Sequence, residues 1–182
     1  HPEQAARYYG QAAHTNHDAI AALNTLFAQD GLVVYVPAGV ALEQPVQLIN
    51  LFRSAERLMA NRRILFVVED GASAKLLVCD HSMGDTDFLS TEVVEIIAGR
   101  DAVVDYYDLE ESSIRTRRFS SLFVEQEAGS NVLVNGITLN NGQTRNNYRA
   151  RINGEGAELT LCGMAIADRE QRVDTYSHIA HR

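Results

Sequence analysis

The chain has 182 residues, of which 46% are apolar, enough for one sizeable core and too many for a disordered segment. Its formal charge of −8 offers no net positive field to polyanions, which argues against a general nucleic-acid or anionic-membrane binder. Its apolar runs fall far short of the roughly 20 residues that a helix needs to cross a bilayer.

The chain starts at His1 rather than Met, which predicts that it begins inside a longer polypeptide. His14 and His17 stand three apart and are in principle a metal pair, but no further ligand follows at a convincing spacing, and they read as a solvated end. From Thr15 to Ala28 the residues Ala19, Ile20, Leu23, Leu26 and Phe27 recur at helical spacing, with Thr15 or Asn16 as cap. Asp30-Gly31 ends that helix, so residues 1–29 form an amino-terminal helical segment. The runs "GLVVYVPAGVAL", "PVQLINLF" and "RRILFVVEDGASAKLLV" then read as strands, with "FRSAERLMANRR" as a short helical or irregular excursion.

A repeat follows. Aligning Gly71, Gly99, Gly129 and Gly156 brings Leu76, Val104, Val134 and Leu161 into one apolar column, and Ser73, Asp101, Asn131 and Glu158 into a polar one. Neighbouring residues of a strand point to opposite faces, so these columns are the inner and outer sides of stacked parallel strands. A second set of strands lies midway at a period of 28, with Val94, Leu122, Ala150 and His178 in one column. Residues 30–182 are therefore predicted to form a mainly β, parallel β-helix with rungs of about 28 residues. Gly154 and Gly156 sit between two strand patterns, where they turn a corner; a phosphate loop would need a helix after them.

The run "RNNYRARINGEGAELTLCGMAIADREQRVDTYSHIAH", with "DGLVVYVPAGVALEQPVQL" and "EVVEIIAGRDAVVDYYDLEE" before it, resembles the SufB/SufD family of iron-sulfur cluster assembly proteins, the SufD branch most closely. The most specific matches are Arg145-Asn146, Gly154-Glu155-Gly156-Ala157, Gly163, Gln171, Asp174 and His181. The resemblance implies a right-handed β-helix acting in the cytosol as a scaffold rather than an enzyme, with a SufB-type partner and a SufC-type ATPase. It implies that iron or a cluster is handled by the parent complex, with no cofactor bound by this segment. It also implies that further rungs and a carboxy-terminal helical region belong beyond Arg182, together with the family's best-known interface residues.

No residue is assigned a catalytic or metal-ligating role. Cys79 and Cys162 match neither a disulfide framework nor a CxxC pair, which favours a reducing compartment. Both are expected to face outward on rungs three apart, roughly 14 Å from each other, too far for a disulfide or a shared iron. His178 is expected inside the last rung, hydrogen-bonded beside Tyr148 and Tyr176, its functional alternative being a polar interior path for sulfur or metal. Asp80 and His81 read as a corner loop, Arg115 to Phe119 as a solvated turn, and Arg145 and Asn146 as partners of corner backbone. A carbohydrate-active β-helix is the competing function, but Asp101 and Asp105 on an outer face lack the acidic groove it needs. A metal-binding cupin barrel is a third, which "HIAH" does not supply with ligands. The open final rung, ending near Ile179, predicts edge-to-edge homodimers.

Overall fold

A computed structural model describes residues 2–13 and 18–182. Two helices precede the strands: α1 (Pro2–Tyr8), which the sequence pattern did not predict, and α2 (Ala19–Phe27). Asp18 caps α2, accepting from the backbone N–H groups of Ile20 and Ala21 at 3.1 and 2.9 Å. The helix thus starts later than its apolar spacing predicts; His14, Thr15, Asn16 and His17 lie outside the described residues.

The remaining chain is strand and corner: β1 (Asp30–Val36), β2 (Val46–Arg53), β3 (Leu58–Val68), β4 (Ser73–Met83), β5 (Phe88–Ala98), β6 (Val103–Glu111), β7 (Thr116–Gln126), β8 (Asn131–Asn140), β9 (Gln143–Ile152), β10 (Glu158–Ala165) and β11 (Arg172–His181). The predicted excursion after Phe52 is no helix, because β2 and β3 take up all of it except residues 54–57. Odd-numbered strands form a six-stranded sheet A in the order β1-β3-β5-β7-β9-β11, and even-numbered strands a five-stranded sheet B in the order β10-β8-β6-β4-β2. All pairings are parallel, so each circuit gives one strand to each sheet and the chain winds about five turns as a β-solenoid. Inward side chains such as Ile64, Phe66, Leu76, Ile96, Val104 and Val134 fill the space between the sheets.

One corner repeats with a fixed backbone. Gly39, Gly71, Asp101, Gly129 and Gly156 have φ of 71°, 65°, 56°, 70° and 73°. The N–H of each of the first four donates to the carbonyl just before its equivalent on the next rung, as Gly71 N–H does to Arg100. Gly156 is thus a corner residue, as its strand context predicts, whereas Gly99 stands two residues ahead of the column that Asp101 occupies. Leu76 consequently pairs with Tyr106, which pairs with Val134 and it with Leu161, while Val104 belongs with Ala74, Val132 and Leu159. The shift is even, so inner residues remain inner. Asp101 itself lies in the corner rather than on the polar strand column, where Val103 takes its place between Ser73 and Asn131. A Cβ on Gly129 would strike the Asp101 carboxylate as well as suffer left-handed strain. Gly129→Ala is expected to cost about 1–2 kcal/mol in urea denaturation, with Asp101→Gly in the same chain recovering part of it.

In sheet A the step between rungs is not a constant 28. Leu122 pairs with Tyr148, 26 residues on, and Tyr148 with Ser177, 29 residues on. The two deviations together move β11 by one residue, which exchanges its faces. His178 therefore pairs with Arg149 on the outer face and is exposed, and Tyr176 is likewise outside while Tyr148 points inward.

The outer face of sheet A is roofed over its first rungs by the amino-terminal segment. Ala12, Ala13 and Ala21 pack on Val93, Ile97 and Phe123. Glu95 of β5, fully buried, accepts from the N–H groups of Gly10, Ala12 and Ala13 at 3.0, 3.1 and 3.0 Å and pairs with Arg63 at 2.7 Å. Asn24 of α2 donates to the Arg62 and Thr91 carbonyls, so the roof is positioned by polar contacts as well as by apolar area.

Candidate functional site

The interior is divided. Beside the glycine corner it is apolar; beside the opposite corner it is ionic. The division follows from the order of residues within strands, since inward positions of sheet A run from polar to apolar (Arg118, Ser120, Leu122, Val124) and those of sheet B from apolar to polar (Val104, Tyr106, Asp108, Glu110).

Arg62 of β3 grips Asp80 of β4 with both terminal nitrogens, at 2.9 and 2.6 Å, and reaches Glu92 of β5 at 2.8 Å. Arg118 of β7 lies 2.7 Å from Asp108, 3.1 Å from Glu92 and 3.2 Å from Asp80. Its remaining terminal nitrogen donates to Asn146 of β9 at 3.3 Å and lies 4.0 Å from Glu110. Glu110 also accepts from Ser112, Thr138 and Thr144. At the first rung Asn50 donates to Asp80 at 2.8 Å, and the Phe52 ring lies under the Arg62 guanidinium. A recess of about 120 Å³ among Leu32, Leu48, Asn50, Arg62 and Ile64 opens onto this end of the cluster.

All six charged groups are nearly sealed from water, with side-chain exposure of 8% at most. Four carboxyls face two guanidiniums, so full ionisation would leave two uncompensated negative charges where charge is most costly. Burial dominates at Glu92 and Asp108 and pushes both carboxyls above their ordinary range despite the attraction of Arg62 and Arg118 at Glu92 and of Arg118 at Asp108. At Asp80 burial acts in the same sense, but Arg62 and Arg118, with hydrogen bonds from Arg62 and Asn50, outweigh it and hold the carboxyl below its usual value. The four carboxyls in turn more than offset burial at Arg118 and keep its guanidinium charged. Tyr106, fully buried with a hydroxyl that has no hydrogen-bond partner among the described residues, is pushed well upward, first by burial and then by Asp108. The cluster can hold protons internally, which relieves its surplus of carboxyls over guanidiniums.

The sequence reading missed this cluster. Arg118 is expected in a solvated turn, but it is an inward residue of β7 with a 2% exposed side chain, while Arg115, beside Asp87 at 3.4 Å, and Arg117 stay outside. Asp80 and His81 belong to β4 rather than to a loop, one inward and the other outward within 3.4 Å of Glu111. Arg145 and Asn146 lie in mid-strand, Asn146 bound to Arg118 and Arg145 to Asp174, instead of serving corner backbone. Cys79 and Cys162 both take the outward side as expected, Cys79 buried and Cys162 exposed, and neither forms a disulfide. Asp105 is outward and pairs with Lys75 at 2.8 Å. Among the described residues no group of three or more His, Cys, Asp or Glu side chains is placed to hold a metal ion, and no helix is long and apolar enough to cross a membrane.

Parallel rungs around a filled, ion-paired interior define a β-solenoid scaffold. The profile described as "SUF system FeS cluster assembly, SufBD core domain" matches residues 51–182, and that of the "SufBD protein N-terminal region" matches residues 1–48. The chain belongs to the SufBD family of iron-sulfur cluster assembly proteins. It is 34% identical over 108 residues to a SufBD family protein of Synechocystis, covering 58% of this chain and 22% of that one. It is 28% identical over 178 residues to a SufBD family protein of Staphylococcus epidermidis, covering 96% of this chain and 38% of that one. With a Staphylococcus aureus relative it shares 27% identity over 179 residues, again 38% of that protein. The chain therefore spans well under half the length of these relatives.

Proposed function

We propose that the chain is part of a SufD-like scaffold subunit that supports a SufB-type partner and iron or cluster acquisition, together with a SufC-type ATPase, in the cytosol. The observation that carries this reading is the match to both SufBD regions, in order, along one continuous solenoid. A scaffold role without chemistry of its own agrees with the carboxyls, which a polysaccharide-cleaving β-helix would display on an outer face. Here the clustered acids lie inside, engaged with Arg62 and Arg118.

Affinity purification of the tagged full-length protein from its own cells tests the reading. SufB-type and SufC-type proteins are expected to co-purify in fixed proportion. Recovery of the protein without them, or cleavage of an acidic polysaccharide by it, refutes the scaffold assignment.

A further inference from the structure

The outer face of sheet A changes character where the amino-terminal roof stops. Under the roof the outward residues include Leu65, Val67, Val93, Ile97 and Phe123, with one buried ion pair, Arg63 to Glu95, among them. Beyond it, on β7, β9 and β11 and just after β11, they include Arg117, Arg145, Arg149, Arg151, Arg172 and Arg182. The outward carboxylates across these three strands are Glu125 and Asp174, engaged with Arg151 and Arg145 respectively. With Glu127 just after β7 and the Asp18 carboxylate that accepts from Ser121 and Asn147, six guanidiniums face four carboxylates, which leaves a locally cationic surface on a chain whose formal charge is −8. Tyr176 lies within 5.7 and 5.6 Å of the Arg145 and Arg149 guanidiniums, which holds those side chains in place before anything binds. Next to the edge of the roof, at Ala12, a recess of about 200 Å³ is lined by Arg149, Arg151, His178 and Arg182, together with Glu125, which is paired to Arg151, and the apolar Phe123 and Ala180.

We propose that this arginine-rich face is a docking surface for an acidic protein segment, with the recess taking one of its carboxylate side chains. An apolar helix like α2 has no counterpart surface here, because the aliphatic side chains under the roof give way to arginine. Nucleic acid is disfavoured by the chain's overall formal charge of −8, which repels a long polyanion beyond the patch while leaving a short acidic segment attracted to it. The proposal stands apart from the scaffold reading, since it specifies the chemistry of the surface and not the complex in which it is used.

The test measures fluorescence anisotropy of a labelled glutamate-rich peptide with the full-length protein at low and high salt. Binding is expected at low salt and lost at high salt. Arg172→Glu combined with Arg182→Glu is expected to weaken it at least about tenfold. Lys75→Glu on sheet B should leave it unchanged. Circular dichroism and melting curves verify that the variants fold; should the reversal fail to fold, Arg172→Gln, expected to weaken binding severalfold, takes its place. The proposal is overturned if a neutral or lysine-rich peptide binds equally well, or if the arginine variants bind as the wild type does. It is equally overturned if an oligonucleotide of matching length binds more tightly, or if sedimentation shows the face occupied by a second copy of the chain.

Discussion

Replacing Arg118 by leucine is expected to destabilise the protein by about 3–5 kcal/mol, enough to unfold much of the population of a marginally stable domain. The side chain is 2% exposed and lies within ion-pair distance of Asp80, Glu92, Asp108 and Glu110, one on β4, one on β5 and two on β6. Its removal leaves Arg62 as the only cation among four buried carboxyls. Leucine restores part of the lost volume, so most of the penalty is electrostatic. Two features separate this from an ordinary packing defect. The penalty should shrink as the solution is acidified, because protonated carboxyls no longer need the guanidinium, whereas a cavity made by Phe66→Ala in the apolar half should cost about the same at every pH. A combined Arg118→Leu, Asp108→Asn variant should also be more stable than Arg118→Leu alone. Urea unfolding at two pH values measures both effects, and a pH-independent loss would show that Arg118 acts as filler.

The architecture was legible because its two signals are short-range: glycine at a left-handed corner and apolar alternation on the strand after it. Register was less legible. Asp101 occupies a corner that its neighbours on adjacent rungs fill with glycine, at φ of 56°, so the alignment slid to Gly99 and displaced Val104 from its true neighbours. An error of two residues kept the faces right; the error of one at β11 put His178 inside when it belongs outside. The ionic cluster was hidden for another reason. A strand run that stops with its apolar residues, as at Val78, falls short of the lumen's polar half, where charge is no sign of solvent. Continuing the alternation two residues past Val78 reaches Asp80, and two before Ile64, Val94 and Leu122 reaches Arg62, Glu92 and Ser120, with Arg118 one step further. Each of these is buried. In a solenoid the lumen runs the whole length of the strands, so inward polar residues meet one another on adjacent rungs and satisfy each other there.

The same cluster predicts an unusual dependence of stability on pH. Glu92 and Asp108 hold their protons more tightly folded than unfolded, because burial outweighs the attraction of their arginine partners. The stability this contributes is complete below the ordinary carboxylate range and is lost as pH rises through the raised folded values, at up to about 1.4 kcal/mol per pH unit for each carboxyl. Asp80 works in the opposite sense: its carboxyl is held low, so its contribution is present above the ordinary range and lost as pH falls through the folded value. Within the cluster two proton-binding groups oppose one proton-releasing group, so the cluster's own contribution falls as pH rises through the raised folded values of Glu92 and Asp108. Melting temperature of the parent measured against that of Glu92→Gln from about pH 4 to pH 8 should show that fall. Glu92→Gln should flatten it, since an amide presents the protonated carboxyl's shape without a proton to lose, and should make the variant more stable than the parent at the neutral end. The outcome that would sink this account is a Glu92→Gln variant that gains nothing on the parent as pH rises to 8, because the surplus carboxyls would then be ionised and balanced by something other than protons.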